Sequence, residues 1–211
     1  PAMSNTRFDV TAVGNAIVDV FTQADDAMLH RLGLIKGAMT LIDATDAERL
    51  YGVMGPGVEI SGGSAANTVA GITALGGRTA YIGKVADDQL GDVFAHDIKA
   101  IGVTYDTPRL SEGMSTARCL VFVTPDAQRT MQTFLGATTQ LGPEDVNMAY
   151  IEASKVLYLE GYLWDSPAAQ EAYRQAAATV HAALDAGITL LDTAGVRLRT
   201  LLNPDPAADL Q

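Results

Sequence analysis

Two short segments carry side chains able to grip a polyhydroxylated ligand. The first is Gly14-Asn15-Ala16-Ile17-Val18-Asp19, directly after the apolar run Phe8 to Val13. A carboxylate beside a glycine turn at a strand end can accept hydrogen bonds from two vicinal hydroxyls, and Asp19 with Asn15 offers that chemistry. The same two residues could equally serve the backbone of their own turn. The second segment is Gly62-Gly63-Ser64-Ala65-Ala66-Asn67. Paired glycines let a ligand approach the main chain, and free N–H groups at a helix start favour acceptors. Asn67, one turn in, can donate and accept at once. Neither segment has the glycine and lysine spacing of a Walker loop or a dinucleotide fingerprint.

The elements that must position them alternate between strand and helix. Phe8 to Val13 reads as a strand, Asp25-Asp26 opens a short helix that Gly33 stops, and Met39 to Ile42 reads as a strand. Thr45-Asp46-Ala47-Glu48 predicts a capping box for the next helix. Ser64 to Leu75 is a helix closed by Gly76-Gly77, and Thr79 to Val85 a strand. Asp88 to Ile101 places Leu90, Val93, Phe94, Ile98 and Ile101 on one helical stripe, and Val103 to Tyr105 leaves as a strand. Arg118 to Val123 and Arg129 to Phe134 predict a hairpin about the turn Thr124-Pro125-Asp126-Ala127. Pro143 starts a short helix, Val156 to Glu160 is a strand, Ser166-Pro167 starts a helix to Ala186, and Ile188 to Leu191 is a strand. Such units predict an α/β fold with a mostly parallel sheet flanked by helices.

Composition narrows the function. The chain has 211 residues, 48% of them hydrophobic, enough for a packed core. A formal charge of −11 opposes nucleic-acid or anionic-membrane binding, and no apolar run is long enough to span a bilayer. The single cysteine, Cys119, sits in a strand-like run and reads as core; with no intrachain disulfide available, a cytoplasmic location is expected. Pro1-Ala2 ahead of Met3 reads as an expression scar.

Together the two segments, Gly-Asn-x-x-x-Asp and then Gly-Gly-Ser-x-x-Asn, resemble the sugar-binding signature of the ribokinase, or PfkB, family. Ala74-Leu75-Gly76-Gly77 and Tyr81 to Gly91 are similar to that family's helix, strand and acidic turn. Gly14 to Asp19 and Arg129 to Ala137 resemble its adenosine-kinase-like branch. The resemblance implies a ribokinase-like domain over residues 1–191 with a small β-sheet lid from about 16–23, 38–60 and 104–123. It implies substrate binding by Asn15, Asp19, Gly62, Gly63 and Asn67, with Arg129 as an auxiliary near the acceptor or the transferring phosphate. ATP and Mg²⁺ are the implied cofactors. The implied reaction moves the γ-phosphate to a primary hydroxyl of a nucleoside such as adenosine, or of a sugar, and the lid could pair two copies of the chain.

In the family, an Asn-x-x-Glu segment and an Asp-Thr-x-Gly-Ala-Gly-Asp stretch serve metal, phosphate and the base. Neither is present here: Asp192-Thr193-Ala194-Gly195 is followed by Val196-Arg197-Leu198. No catalytic base is therefore expected in these residues, 192–211 reads as a poorly matching tail, and the chain alone is expected to be inactive and aggregation-prone. Within the family the rival substrates are a ketose such as fructose, or 2-keto-3-deoxygluconate. Outside it the rivals are a catalytically dead sugar-binding homologue and a Rossmann-type nucleotide-binding protein.

Overall fold

The computed structural model describes residues 6–164, 166–184 and 191–193. In chain order it forms β1 (Phe8–Val13), β2 (Ile17–Gln23), α1 (Asp26–Leu32), β3 (Met39–Leu41), α2 (Ala44–Val53) and β4 (Val58–Gly62). Then come α3 (Ser64–Ala74), β5 (Thr79–Ile82), α4 (Gln89–Ala100), β6 (Thr104–Tyr105), β7 (Ala117–Val123) and β8 (Arg129–Phe134). Two 3-10 turns, Gly136–Gln140 and Pro143–Asp145, lead to α5 (Met148–Glu152) and β9 (Ser154–Leu159). A third, Gly161–Leu163, precedes α6 (Pro167–Leu184) and β10 (Leu191–Thr193).

The strands form two sheets. One runs β10-β9-β1-β5-β6 with every pairing parallel. Its centre is apolar on both faces, as a sheet covered on both sides requires. Ala12 and Tyr81 pack with α3 and α4, whereas Phe8, Val13, Ile82 and Leu159 pack with α5 and α6. The other runs β3-β8-β7-β2-β4 and mixes directions: β7 and β8 are the antiparallel hairpin, and β4 runs antiparallel to β2. Period-two alternation gives this sheet two different faces. Val18, Val20, Leu120 and Phe122 join the main core, while Ile17, Cys119 and Val121 look the other way.

Three expectations are adjusted. Thr104 and Tyr105 pair with β5 in the parallel sheet, because the Tyr105 ring packs among Tyr81 and Phe94; β8, outside the expected lid segments, joins the mixed sheet. Helix α2 is capped by Asp43, whose carboxylate accepts the Asp46 N–H at 2.8 Å, so Thr45 is already inside the helix. Glu48 is instead drawn to the buried Arg118 guanidinium of β7, which outbids a backbone N–H for a carboxylate. Residues 185–190 and 194–211 lie outside the described residues, and with them the ends expected for the last helix and strand.

The acidic turn before α4 is a structural clasp. Asp88 caps the helix by accepting the Gly91 N–H at 2.8 Å and also accepts the Thr116 N–H at 2.8 Å, tying α4 to the foot of β7. Gly91 is required because a Cβ there would lie 2.1 Å from the Ala86 carbonyl oxygen.

Candidate functional site

The carboxyl ends of β1 and β9 meet the start of α3 at the mouth between the two sheets, where parallel sheets gather ligands. A cavity of about 760 Å³ opens there. Its polar side is lined by Asn15, Ser64, Thr139 and Ser166. Its apolar wall is the outward face of the mixed sheet: Ile17, Met39, Leu41, Met131 and Leu135. The turn Gly161–Leu163 closes the rim and carries Tyr162, which is 71% exposed.

Asp19 sits on the same face of β2 as Ile17, opposite Cys119 on β7 and Ile60 on β4. Its carboxylate lies over the Cα of Gly62, where a Cβ would fall 2.4 Å from Oδ2, so only glycine admits it. Burial raises its pKa to about 6, against the opposing pull of the Arg129 guanidinium. Arg129 itself is exposed at the start of β8. Asp19 is thus a half-buried carboxylate without a strong partner, primed to accept hydrogen bonds from a ligand.

Gly63 holds φ 97° and ψ 142°, a conformation costly to any residue with a Cβ, and a Cβ there would lie 2.3 Å from the Asn15 carbonyl oxygen. The two sequence segments therefore touch through their backbones. Gly63→Ala is expected to cost about 1–3 kcal/mol in chemical denaturation; a loss below about 0.5 kcal/mol would show that the contact is dispensable. Asn67 is exposed on the first turn of α3, and of the five expected residues only Asn15 lines the cavity, with Asp19, Gly62, Gly63 and Asn67 outside its lining. Asn15, Asp19, Gly62 and Gly63 are brought together, with Asn67 one turn further out.

Sequence reasoning missed Ser64, Thr138, Thr139, Ser166, Glu160 and the apolar wall as site residues. Period two from Met131 through Thr133 to Leu135 was the available signal for that wall. Thr138, whose hydroxyl accepts the Ala16 N–H at 3.3 Å, had none. Cys119 is the core residue expected: burial pushes its thiol up to about 11, away from reactivity. Among the described residues there is no group of three or more His, Cys, Asp or Glu placed to hold a metal ion. No described helix is long and apolar enough to cross a membrane.

The model of the pfkB family carbohydrate kinases matches residues 38–207. The chain belongs to that family. Among solved structures, the adenosine kinase of Sinorhizobium meliloti is 56% identical with a TM-score of 0.76, over 83% of this chain and 54% of that one. A probable sugar kinase of Rhizobium etli is 50% identical with a TM-score of 0.79, over 89% of this chain and 56% of that one. The fructokinase of Solanum tuberosum is 31% identical over 99 residues, 46% of this chain and 31% of that protein. The chain thus spans little more than half the length of these solved family members and about a third of the fructokinase. The family match and the ribokinase-like neighbours agree with the resemblance seen in the two glycine-bearing segments.

Proposed function

We propose that these residues form the acceptor-binding part of an ATP-dependent kinase that phosphorylates a primary hydroxyl of a ribonucleoside, with adenosine favoured. The observation that carries this reading is the placement of Asp19, laid against Gly62 and two residues along β2 from Ile17, next to a cavity whose apolar wall Ile17 helps to line. A nucleoside has the matching halves, a ribose rich in hydroxyls and a flat, largely apolar base. A hexose would set hydroxyls against Ile17, Met39, Leu41 and Met131, leaving them unpaired at a cost of about 1–3 kcal/mol each. The 56% identity to an adenosine kinase supports the same substrate class. In this reading Asp19 and Asn15 hold ribose hydroxyls, Gly63 and Asn67 hold the ring beside them, and Arg129 tempers the Asp19 charge near the acceptor. The mixed sheet acts as a lid that keeps water from competing for the phosphate.

A ketose or sugar-acid acceptor is the second reading, favoured by the match to fructokinase. Thermal shift with adenosine, ribose, fructose and 2-keto-3-deoxygluconate separates them. Adenosine at about 100 times its Kd is expected to add about 2.7 kcal/mol, a rise of roughly 5–10 °C. Stabilisation by fructose but not adenosine would transfer the assignment to the ketose, and stabilisation by none would refute the acceptor site.

A further inference from the structure

Glu160 directly follows β9 behind the cavity wall and is 2% exposed. Its main chain is locked, with its N–H donating to the Val13 carbonyl at 3.0 Å and its carbonyl accepting from the Tyr173 hydroxyl at 2.5 Å. The carboxylate divides between the two ligand-facing segments. Oε2 accepts the Asn15 backbone N–H at 2.6 Å, and Oε1 accepts the Ser64 hydroxyl at 2.6 Å. Gly14 makes room for it, since a Cβ there would lie 2.2 Å from Oε2. Among the described residues no cation pairs with this carboxylate.

The Asn15 side chain projects from the same turn that this carboxylate holds by its backbone N–H. Asn15 Oδ1 is a buried acceptor with no hydrogen-bond partner among the described residues. Asn15 lines the cavity, so a ligand hydroxyl is the donor that could satisfy it.

We propose that Glu160 is a positioning residue: it clamps the Gly14-Asn15 turn to the start of α3 and so fixes where Asn15 presents its unpartnered Oδ1 to the substrate. The clamp joins residues 145 and 96 positions away in sequence. It rests on the acceptor-site reading above only for the identity of the ligand. A glutamine at this position keeps the shape but has one accepting oxygen where the carboxylate has two, so it cannot accept from both the Asn15 N–H and the Ser64 hydroxyl, and the charge-assisted bonds become weaker neutral ones.

The test uses the full chain with Glu160→Gln and Ser64→Ala, by amide hydrogen exchange without ligand and by calorimetry with adenosine and its 2′-deoxy and 3′-deoxy analogues. Glu160→Gln is expected to speed exchange at both 14–17 and 62–66 about tenfold or more, with β5 unchanged. Ser64→Ala, the milder change, is expected to loosen 62–66 alone. The wild type should bind adenosine about 10–100 times better than one of the deoxy analogues. Glu160→Gln should bind all three alike, a loss of discrimination that general weakening of the fold would not produce. Unchanged protection at the two segments, or intact discrimination in the variant, overturns the proposal. If the wild type binds no nucleoside, the acceptor reading fails while the exchange measurement still decides the clamp.

Discussion

Replacing Asp19 with asparagine is expected to weaken adenosine binding by about 100-fold or more and, at the same time, to raise thermal stability. The two effects have one cause. The folded protein holds the Asp19 pKa at about 6 instead of 3.8 because burial disfavours the charge, with Arg129 pulling the other way. Between those values the native state binds more protons than the unfolded chain, so stability falls as pH rises through this window. At neutral pH the ionised carboxylate therefore costs about 1–3 kcal/mol, discounted for its residual exposure. Asparagine removes that cost and should raise Tm by roughly 2–10 °C. In the proposed reading the charge is kept for what it does to a ligand. Below pH about 6 the wild type should lose adenosine affinity as Asp19 protonates, whereas Asp19→Asn should show a flat profile. Arg129→Ala should move the wild-type midpoint upward. Calorimetry across pH and denaturant titration check all three; unchanged affinity in Asp19→Asn would remove Asp19 from the site. A lower Tm would make it a structural residue.

The second large effect concerns a buried ion pair below the site. Lys84, at the carboxyl end of β5, meets Asp145 at 2.5 Å, and their side chains are 9% and 1% exposed. Asp145 also accepts the Gly142 N–H at 2.9 Å through its other oxygen. Asp145→Ala strands the Lys84 ammonium in the core and should cost about 3–5 kcal/mol in urea unfolding. The double replacement Lys84→Met with Asp145→Leu removes both charges and is expected to recover most of that loss. A cost below about 1 kcal/mol for the single change would mean that water reaches Lys84. The pair has a functional consequence as well. It anchors the 3-10 turn Pro143–Asp145, and the turn before it, Gly136–Gln140, brings Thr139 and Gln140 to the cavity and Thr138 to the Ala16 N–H. Loss of adenosine affinity should therefore accompany the loss of stability in Asp145→Ala.

Both effects join residues that are far apart in the chain, which marks the boundary of what sequence reasoning reached. Patterns that act within a few residues were legible. The Asp25 cap and Gly33 stop of α1, the stripe of α4, the β7–β8 hairpin and the glycine-led start of α3 all depend on neighbours one turn or one pleat away. Asn15, Asp19, Gly62 and Gly63 stood out because glycine and acid or amide types at strand and helix ends are chemically conspicuous. The cap of α2 was misplaced even at short range, because Glu48 had a better partner in Arg118, 70 residues on.

The rest had to wait for tertiary structure. Glu160 looks like any residue at the end of a strand until β9 pairs beside β1 and delivers its carboxylate under Asn15 and Ser64. Met39 and Leu41 read as ordinary strand residues until β3 pairs with β8 and turns them into a cavity wall. The sequence by itself determined the alternation of elements, the family and the two glycine-bearing segments, because each of these is written in local types and spacings. Only the tertiary structure decided which distant side chains hold those segments in place and what shape of ligand they face, because packing selects partners by position in space and not by distance along the chain.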